Sequence, residues 1–364
     1  MATQRHERNP DELAVALTVG RKADAEPSPS TWTVAALILL GLLGALVTYK
    51  ASGSLATIAK VQASDTLTPR SEWITTAGHS GLTRPLLRTV NYLAVVWPAL
   101  VFGVLIGGAV RATVPSRWIR EALGDSPVRA QLLGGLAGAP LMLCSCCIAP
   151  VFVAVSSGTK RAGPASALLL ASPSLNPAAL ALTFMLFTTD IAVARLVTAA
   201  LLVFVVSAMT ARYLPPGEHA AEPCALEVVQ RRRPLDALAF LGREVARTAR
   251  TTLPVLVLGI VLSSAAFELV PLDRLREAPV RAAAIVLVAL VSVPIALPTF
   301  AEIPLALGLL ATGAPAGAAV ALMIAGPAIN LPSLLTVART TTRRHAIALA
   351  AGTFVSAAAG GLLV

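Results

Sequence analysis

The stretch GAPLMLCSCCIAPVF, from Gly138 to Phe152, decides the fold. It is apolar enough to enter a lipid bilayer, yet it contains Pro140, Pro150 and three cysteines within four positions. Proline lacks the backbone N–H that continues a helix, so a helix that enters this stretch breaks there. A broken helix in lipid has to be covered by protein or water, because unsatisfied backbone groups are costly in hydrocarbon.

The rest of the chain has the composition of a polytopic membrane protein. Of its 364 residues, 56% are hydrophobic and 13% are charged, whereas soluble domains are about 25% charged. The net charge is +10, but the basic residues lie in short loops between apolar runs, as orientation signals do. No zinc-finger spacing or basic, aromatic-interleaved helix is present. We expect the lipid bilayer as a partner and no nucleic-acid binding.

Nine apolar runs have a length suited to a bilayer. They occupy residues 32–49, 90–111, 131–157, 164–187, 190–211, 251–271, 282–310, 316–338 and 345–364. No small-residue cleavage site follows the first run, so we interpret it as an anchor helix. The predicted division is a cytoplasmic polar tail (1–30), a transmembrane helix (31–50), an extracytoplasmic loop (51–89), a first permease repeat (90–211), a basic cytoplasmic linker (212–250) and a second repeat (251–364).

The two halves share one pattern of prolines, glycines and asparagines, which indicates an internal duplication. Near the start of each half the matched pairs are Pro98 with Pro254 and Gly103 with Gly259. Further along, every matched pair is offset by 154 positions: Pro140 with Pro294, Pro150 with Pro304, Pro173 with Pro327, and Asn176 with Asn330.

Two topologies fit these runs. All nine could span, or the runs 131–157 and 282–310 could each enter and leave on one side as a re-entrant hairpin, which inverts the second half. The re-entrant arrangement places Lys160, Arg161 and the basic linker 212–250 in the cytoplasm, as the positive-inside rule favours. A kinked spanning helix remains the alternative.

We therefore predict an all-α polytopic membrane protein of two related, inverted repeats after one N-terminal anchor helix. Each repeat has three spans plus a proline-broken re-entrant hairpin. The expected location is the inner (plasma) membrane, with the N-terminus cytoplasmic and the C-terminus extracytoplasmic.

Prolines interrupt both hairpins at related positions. The first hairpin is broken by Pro140 and Pro150, and the second by Pro294, Pro298 and Pro304. Interrupted segments at corresponding positions of two halves are a good pointer to a transporter's binding site. We therefore expect the substrate to bind beside these breaks.

The first hairpin concentrates the thiols of the chain. From Gly138 to Phe152 the polar side chains are Cys144, Cys146 and Cys147, together with the Ser145 hydroxyl. Soft thiolate ligands suit copper(I) or trivalent arsenic. No histidine or acid accompanies them, so a tetrahedral zinc site is not expected. We interpret the cluster as a Cys-x-Cys pair with an adjacent thiol rather than the Cys-x-x-Cys of redox motifs. Simple packing of small buried cysteines is the alternative.

Three further polar residues of the apolar segments are candidates for a functional role. Glu302, in the second hairpin, is a candidate for proton coupling, because a carboxyl group inside a membrane is costly and defaults to a functional role. An interfacial glutamate is the alternative. Asn176 and Asn330 each follow a proline by three residues and could either cap a helix or bind substrate through the amide.

The CSC-x-x-x-P stretch from Cys144 to Pro150, the SPSLNP stretch from Ser172 to Pro177 and the degenerate second copy resemble a known family. It is the predicted permease family that includes the ArsP-like organoarsenical efflux permeases, and the resemblance covers roughly residues 90–364. It implies efflux of trivalent, thiol-reactive arsenicals across the inner membrane. The family's cysteines would map onto Cys144, Cys146 and Cys147.

The function predicted from these features is efflux of a thiol-reactive metalloid or another small solute, with Glu302 as the proton carrier. The alternatives are a membrane thiol redox or sulfur-relay protein and an accessory membrane subunit. No Walker motif or dinucleotide fingerprint occurs, so we expect neither an enzyme nor a bound cofactor. The sequence leaves homo-oligomerisation open.

Overall fold

The computed structural model describes residues 29–64, 72–114, 126–158, 162–213, 234–268, 281–298 and 300–364, together with positions 119, 121 and 123. Within those ranges every regular element is helical. The first half contains α1 (Pro29–Ser64), α2 (Thr83–Thr113), α3 (Pro127–Gly138), α4 (Ala149–Gly158), α5 (Ala162–Ser174), α6 (Pro177–Leu186) and α7 (Thr189–Thr210). The second half contains α8 (Pro234–Glu268), α9 (Arg281–Ser292), α10 (Glu302–Ala311), α11 (Ala316–Ala328), α12 (Leu331–Thr340) and α13 (Arg343–Leu362).

The described part of the chain has six spans that are long and apolar enough to cross a membrane, with α5 and α6 counted together as one. The number rises to seven when α11 and α12, which meet at a bend of 45°, are also counted as one span. Many large apolar side chains on these spans are exposed, for example Leu40, Val197 and Val355. Lipid is the solvent that suits such a surface, so the prediction of a multi-pass, all-helical membrane protein is confirmed.

The runs 131–157 and 282–310 are both interrupted. Between α3 and α4 lie a short 3-10 turn, Ala139–Leu141, and a non-helical stretch, and between α9 and α10 lies a second non-helical stretch. Helices α3 and α9 have 12 residues each, whereas α4 and α10 have 10 residues each. At about 1.5 Å per residue, neither length crosses a hydrocarbon core of about 30 Å on its own.

Helix ends differ from the predicted boundaries at three places. Helix α1 continues to Ser64 instead of ending at residue 50, α2 begins at Thr83 instead of residue 90, and α8 begins at Pro234, inside the predicted linker 212–250. The prediction followed hydropathy, which reports suitability for lipid. These extensions are less apolar but contain helix-forming residues, so the backbone stays helical beyond the bilayer-suited run. The tail up to residue 28 and the linker residues 214–233 lie outside the described residues.

Glycines let α2 approach the first hairpin closely. A Cβ atom on Gly103 would overlap the backbone carbonyl oxygen of Cys147, and one on Gly107 would lie 2.7 Å from the carbonyl oxygen of Pro150. These two glycines form a small-residue pair spaced four apart, as is common where membrane helices touch. The thiol stretch is therefore held against α2 by backbone contact.

Helices α2 and α8 run antiparallel. Near one end of the pair, Thr89 Oγ1 lies 3.2 Å from Ser264 Oγ, and towards the other end Gly108 lies against Val245. An ion pair of 3.8 Å between Arg111 and Glu244 lies at that second end.

Helices α7 and α13 are antiparallel as well. Gly360 lies against Thr198, and Gly352 lies against Val206. Residue numbers therefore increase along α7 in the same direction in which they decrease along α13.

The close contact at Gly103 predicts a strong effect of one methyl group. Gly103→Ala should destabilise the protein by about 1–3 kcal/mol, because the backbone of Cys147 cannot rotate away as a side chain could. Gly308→Ala is the matched control, since a Cβ there meets nothing within 4 Å, and it should stabilise helix α10 by about 0.5–1 kcal/mol. Thermal unfolding of both variants in detergent measures the difference. Equal melting temperatures for the two variants would contradict this packing.

Candidate functional site

The first hairpin places its three cysteines on one turn of backbone. After the 3-10 turn, Met142 takes a left-handed conformation with φ of 50°. The carbonyl oxygen of Cys144 then accepts hydrogen bonds from the backbone N–H groups of Cys147 (3.0 Å) and Ile148 (3.1 Å). Helix α4 follows directly, with Pro150 in its first turn, where a missing N–H costs nothing. The turn thus presents three thiols within one tight loop.

A serine from a neighbouring helix fixes the start of this turn. Ser172 Oγ, on α5, accepts a hydrogen bond from the Leu143 N–H at 3.0 Å and donates to the Leu143 carbonyl oxygen at 3.2 Å. Both backbone groups of a non-helical residue are thereby satisfied without water. This contact fixes Leu143, the residue that precedes the thiol turn.

The three sulfur atoms lie close together. Cys144 Sγ is 3.1 Å from Cys146 Sγ and 2.9 Å from Cys147 Sγ, whereas Cys146 and Cys147 are 3.8 Å apart. Their residues are 5%, 1% and 0% exposed, respectively. Among the described residues they form a cluster that could hold a metal or metalloid, and Cys144 is the member shared by both short distances.

Two oxygen atoms accompany the sulfurs. The Tyr92 hydroxyl, on α2, lies 3.1 Å from Cys146 Sγ, and Ser145 Oγ is buried with no hydrogen-bond partner. Sequence reasoning named Ser145 and missed Tyr92. The signal was weak, because Tyr92 precedes Cys146 by 54 positions and only the packing of α2 on the hairpin brings them together.

The thiol spacing needs one correction. The cluster was interpreted as Cys-x-Cys with an extra thiol, but Cys144 and Cys147 are also separated by two residues, which is the Cys-x-x-Cys spacing. Their short sulfur–sulfur distance of 2.9 Å gives that second interpretation a geometric basis.

The second hairpin is built on a similar break with different side chains. Phe300 has φ of 72°, and with Met142 it completes the set of described non-glycine residues with positive φ. Ser263, on α8, donates to the Pro294 carbonyl oxygen at 2.7 Å and accepts from the Ala296 N–H at 2.5 Å. Non-glycine residues with positive φ, such as Met142 and Phe300, have strained backbone, and such strain is concentrated at functional sites.

The proline breaks fall where the sequence placed them. Pro140 lies in the 3-10 turn of the first hairpin, and Pro294 and Pro298 lie in the non-helical stretch of the second. Pro304 lies in the first turn of α10. Sequence reasoning therefore located both interruptions.

Glu302 has a partner that the sequence analysis missed. Its Oε1 atom lies 3.1 Å from the Arg195 guanidinium, on α7, and the two residues are 2% and 0% exposed. Arg195 also donates to Thr183 Oγ1 at 2.5 Å and lies 3.5 Å from Met323 Sδ. The available signal was a basic residue in the interior of an apolar span, which is as costly as an acidic one.

Asn176 and Asn330 both cap helices. Asn176 Oδ1 accepts from the N–H groups of Ala178 (3.0 Å) and Ala179 (3.3 Å) at the start of α6. Asn330 Oδ1 accepts from the Ser333 N–H at 3.2 Å, and Ser333 Oγ accepts from the Asn330 N–H at 3.0 Å. The Nδ2 atom of Asn330 is buried with no hydrogen-bond partner, so one polar group of this residue is not used by the cap.

The predicted site residues thus separate into distinct groups. Within the described chain, the thiols hydrogen-bond one another and Tyr92, whereas Glu302 hydrogen-bonds Arg195. The helices link the groups indirectly, since α4 packs against α12 and α10 packs against α6.

Comparison with known proteins decides the family. A model of a family of predicted permeases, ArsP_1, matches residues 84–364, a range that includes both broken helices, the thiol turn and the Arg195–Glu302 pair. The chain belongs to this permease family. The resemblance noted in the sequence is therefore confirmed, and membership indicates a transporter rather than an enzyme.

Individual relatives of the permease support the assignment. The UPF0718 protein YraQ of Escherichia coli is 29% identical over 246 residues, which cover 67% of this chain and 70% of the relative. The UPF0718 protein MJ0584 of Methanocaldococcus jannaschii is 33% identical over 91 residues, which cover 25% of each chain. No solved structure matches the permease.

Variants of Asn330 should separate its capping role from substrate binding. Asn330→Ala removes the cap and should cost about 1 kcal/mol of stability, measured by thermal unfolding. Asn330→Ser keeps a capping oxygen but lacks Nδ2, so it should stay near wild-type stability. If Nδ2 binds substrate, Asn330→Ser will lower transport in vesicles although the protein stays stable. Unchanged transport would show that Asn330 only caps the helix. Asn176→Ser is the matched control, because Asn176 also caps a helix through its Oδ1 atom.

Proposed function

We propose that this protein is a secondary efflux permease for a trivalent, thiol-reactive metalloid, such as an arsenical, with Cys144, Cys146 and Cys147 as the cargo ligands. The observation that carries the proposal is the placement of three sulfur atoms within 3.8 Å of one another on one buried turn. Soft thiolates favour soft cargo over hard cations.

The exchange chemistry needs no cofactor. A trivalent arsenical carries hydroxyl groups, and each can be replaced by a cysteine sulfur as the thiol proton leaves with that hydroxide as water. Hydrolysis of the arsenic–sulfur bond reverses the step and releases the cargo. A mono-organic arsenical with two hydroxyls would occupy two thiols, and inorganic arsenite would occupy three.

The burial of the thiols implies movement during transport. Because the three cysteines are at most 5% exposed, cargo reaches their sulfur atoms only when packed elements separate on one side of the membrane and then on the other. Alternating access of this kind is typical of transporters built from inverted repeats, which rock against each other around a fixed central site.

Helix contacts support the inverted arrangement of the two halves. The duplication makes α2 equivalent to α8 and α7 equivalent to α13, and both pairs run antiparallel. In the duplication, Thr198 corresponds to Gly352, and Gly360 corresponds to Val206. The contact between Thr198 and Gly360 therefore corresponds to the contact between Gly352 and Val206, and both contacts are present. Parallel repeats would instead make equivalent helices run in the same direction.

The second helix pair follows the same rule. In the duplication, Thr89 corresponds to Val245, and Ser264 corresponds to Gly108. The contact between Thr89 and Ser264 therefore corresponds to the contact between Val245 and Gly108, and both contacts are present. An approximate two-fold axis in the membrane plane relates contacts in this way. In this arrangement α3–α4 and α9–α10 are re-entrant hairpins that enter the inner membrane from opposite sides, with the N-terminus cytoplasmic and the C-terminus extracytoplasmic.

Proton coupling is part of the proposal. Glu302 is the one acidic residue of the second hairpin, and it belongs to the half that carries no thiols. A carboxyl group in the opposite repeat could bind a proton in one conformation and release it in the other.

Cysteine substitutions should follow the sulfur distances. Cys144→Ser removes both short contacts and should weaken binding of a trivalent phenylarsenical to the purified permease by more than about 100-fold, since even the hydrogen-bond partners of metal ligands are worth about 10–100-fold. Cys146→Ser and Cys147→Ser each leave one close pair, so each should keep the phenylarsenical and lose arsenite.

Uptake of both arsenicals into everted vesicles provides the transport measurement. Cys224→Ser is the control, because in the sequence that cysteine belongs to the basic linker 212–250 and not to the thiol stretch, so its replacement should leave binding and transport unchanged. Wild-type transport by the triple variant Cys144→Ser, Cys146→Ser and Cys147→Ser would refute the thiol role.

A thiol redox function is the second candidate, and the 2.9 Å distance between Cys144 and Cys147 favours it. A redox pair would form a Cys144–Cys147 disulfide reversibly and pass two electrons and two protons to a partner disulfide, which is reduced to two thiols. Thiol titration of the membrane-embedded protein after oxidation and reduction distinguishes the two functions. A ligand site keeps its thiols reactive towards arsenicals and transports them, whereas a redox site cycles between states without transport.

The proposed topology predicts opposite labelling at two positions. A cysteine at Gln230, in the basic linker, should react with a membrane-impermeant reagent only from the cytoplasmic side. A cysteine at Thr312, an exposed residue between α10 and α11, should react only from the outside. Labelling of both positions from one side would contradict the re-entrant, inverted arrangement.

A further inference from the structure

A buried ion pair joins the two halves of the protein. Arg195 lies inside α7 of the first half, Glu302 begins α10 of the second, and their charged atoms are 3.1 Å apart with both residues almost fully buried. Under the proposed topology the pair lies towards the extracytoplasmic side, because α7 begins there and the second hairpin enters from there.

The pairing is incomplete. Arg195 uses Nη2 on Glu302 and Nη1 on Thr183, which leaves Arg195 Nε and Glu302 Oε2 buried without hydrogen-bond partners. A guanidinium that binds a carboxylate through two parallel bonds would satisfy both atoms. A buried ion pair stabilises a fold only when its remaining polar atoms are also satisfied, so this one is poorly built as a permanent clamp.

Each charge is the other's counter-ion. Helices α6 and α11, which pack against α10, contain no charged residue, and Asp190 on α7 is exposed. On α1, near the second hairpin, Lys60 is exposed as well. His345 of α13 contacts α7 at its opposite end, through the carbonyl oxygen of Thr210.

The fold itself does not need a charge at these positions. The duplication places Leu349 at the equivalent of Arg195 and Ile148 at the equivalent of Glu302. Both of these residues are 0% exposed, so the protein buries apolar side chains at one set of equivalent positions and an ion pair at the other. The charges are therefore present for a reason other than filling space.

We propose that Arg195 and Glu302 form a proton-operated latch between the two halves, with Glu302 Oε2 as the proton-binding atom. The proposal rests on the permease function above and extends it by identifying the coupling site and its counter-ion. With the latch closed, the Arg195 guanidinium lies 3.1 Å from Glu302 Oε1. When α7 and the second hairpin separate, the carboxylate loses its cation and takes up one proton, while Arg195 remains a guanidinium and is hydrated from the opened side.

The sign of the pH effect follows from this linkage. Because the open state binds one more proton than the closed state, acidification favours opening and alkaline conditions favour closure. Protonation and separation of the pair therefore promote each other. Use of only one of the two equivalent positions also explains why Leu349 and Ile148 can be apolar.

The test compares wild type with Glu302→Gln, Asp190→Asn and the double variant Arg195→Leu with Glu302→Ile. The double variant installs the residues that the chain itself packs at the equivalent positions, so it should fold. The first readout needs no cargo. Infrared spectra of the purified protein are recorded over the pH range in which the protein stays folded. A titrating buried carboxylic acid signal should appear in wild type and in Asp190→Asn and be lost in the other two variants.

The second readout is pH-dependent uptake of a trivalent methylarsenical into everted vesicles. Wild type and Asp190→Asn should respond to a pH gradient at least several-fold, and the double variant should transport at one rate regardless of pH. A folded double variant with the wild-type pH response, or an infrared signal that survives Glu302→Gln unchanged, would overturn the latch. Absence of methylarsenical transport in wild type with a Glu302-dependent infrared titration would instead reject the proposed cargo and leave the latch standing.

Discussion

Interrupted helical backbone inside a lipid-solvated protein is the constraint on which this structure depends. Lipid offers no hydrogen bonds, so the two breaks persist only because protein covers them. Ser172 does this for Leu143 in the first hairpin, and Ser263 does it for Pro294 and Ala296 in the second. Gly103 then allows α2 to pack directly on the first break. The three cysteines come together because the backbone here is irregular. A regular helix would distribute Cys144, Cys146 and Cys147 around its axis.

Two unlike chemical groups occupy the related hairpins. The first hairpin presents soft sulfur and the second presents a carboxylate paired with a guanidinium. In the proposed arrangement a duplication would give both hairpins the same scaffold, and divergence of their side chains would separate the proposed cargo site from the proposed coupling site. Because α4 packs against α12 while α10 packs against α6, each hairpin is held partly by the other half. Movement of one half against the other would therefore act on both hairpins together.

Much of this arrangement was visible in the sequence, because proline and hydropathy act locally. Pro140 and Pro294 located the breaks, and the spacing of Cys144, Cys146 and Cys147 located the thiol turn. The missed features depend on contacts between distant segments. Tyr92 reaches the sulfurs only through the packing of α2, and Arg195 meets Glu302 across 107 positions of sequence. Hydropathy also gave the wrong end for α1, since helix propensity continues where suitability for lipid stops.

The central claim is that cargo binds to sulfur on the first hairpin, and X-ray absorption spectroscopy of arsenic bound to the purified permease tests it most directly. The account predicts that protein-bound arsenite has three sulfur neighbours, supplied by Cys144, Cys146 and Cys147, and no remaining oxygen neighbour. Arsenic that stays bound through oxygen alone, or whose sulfur neighbours persist after all three cysteines are replaced by serine, would contradict it.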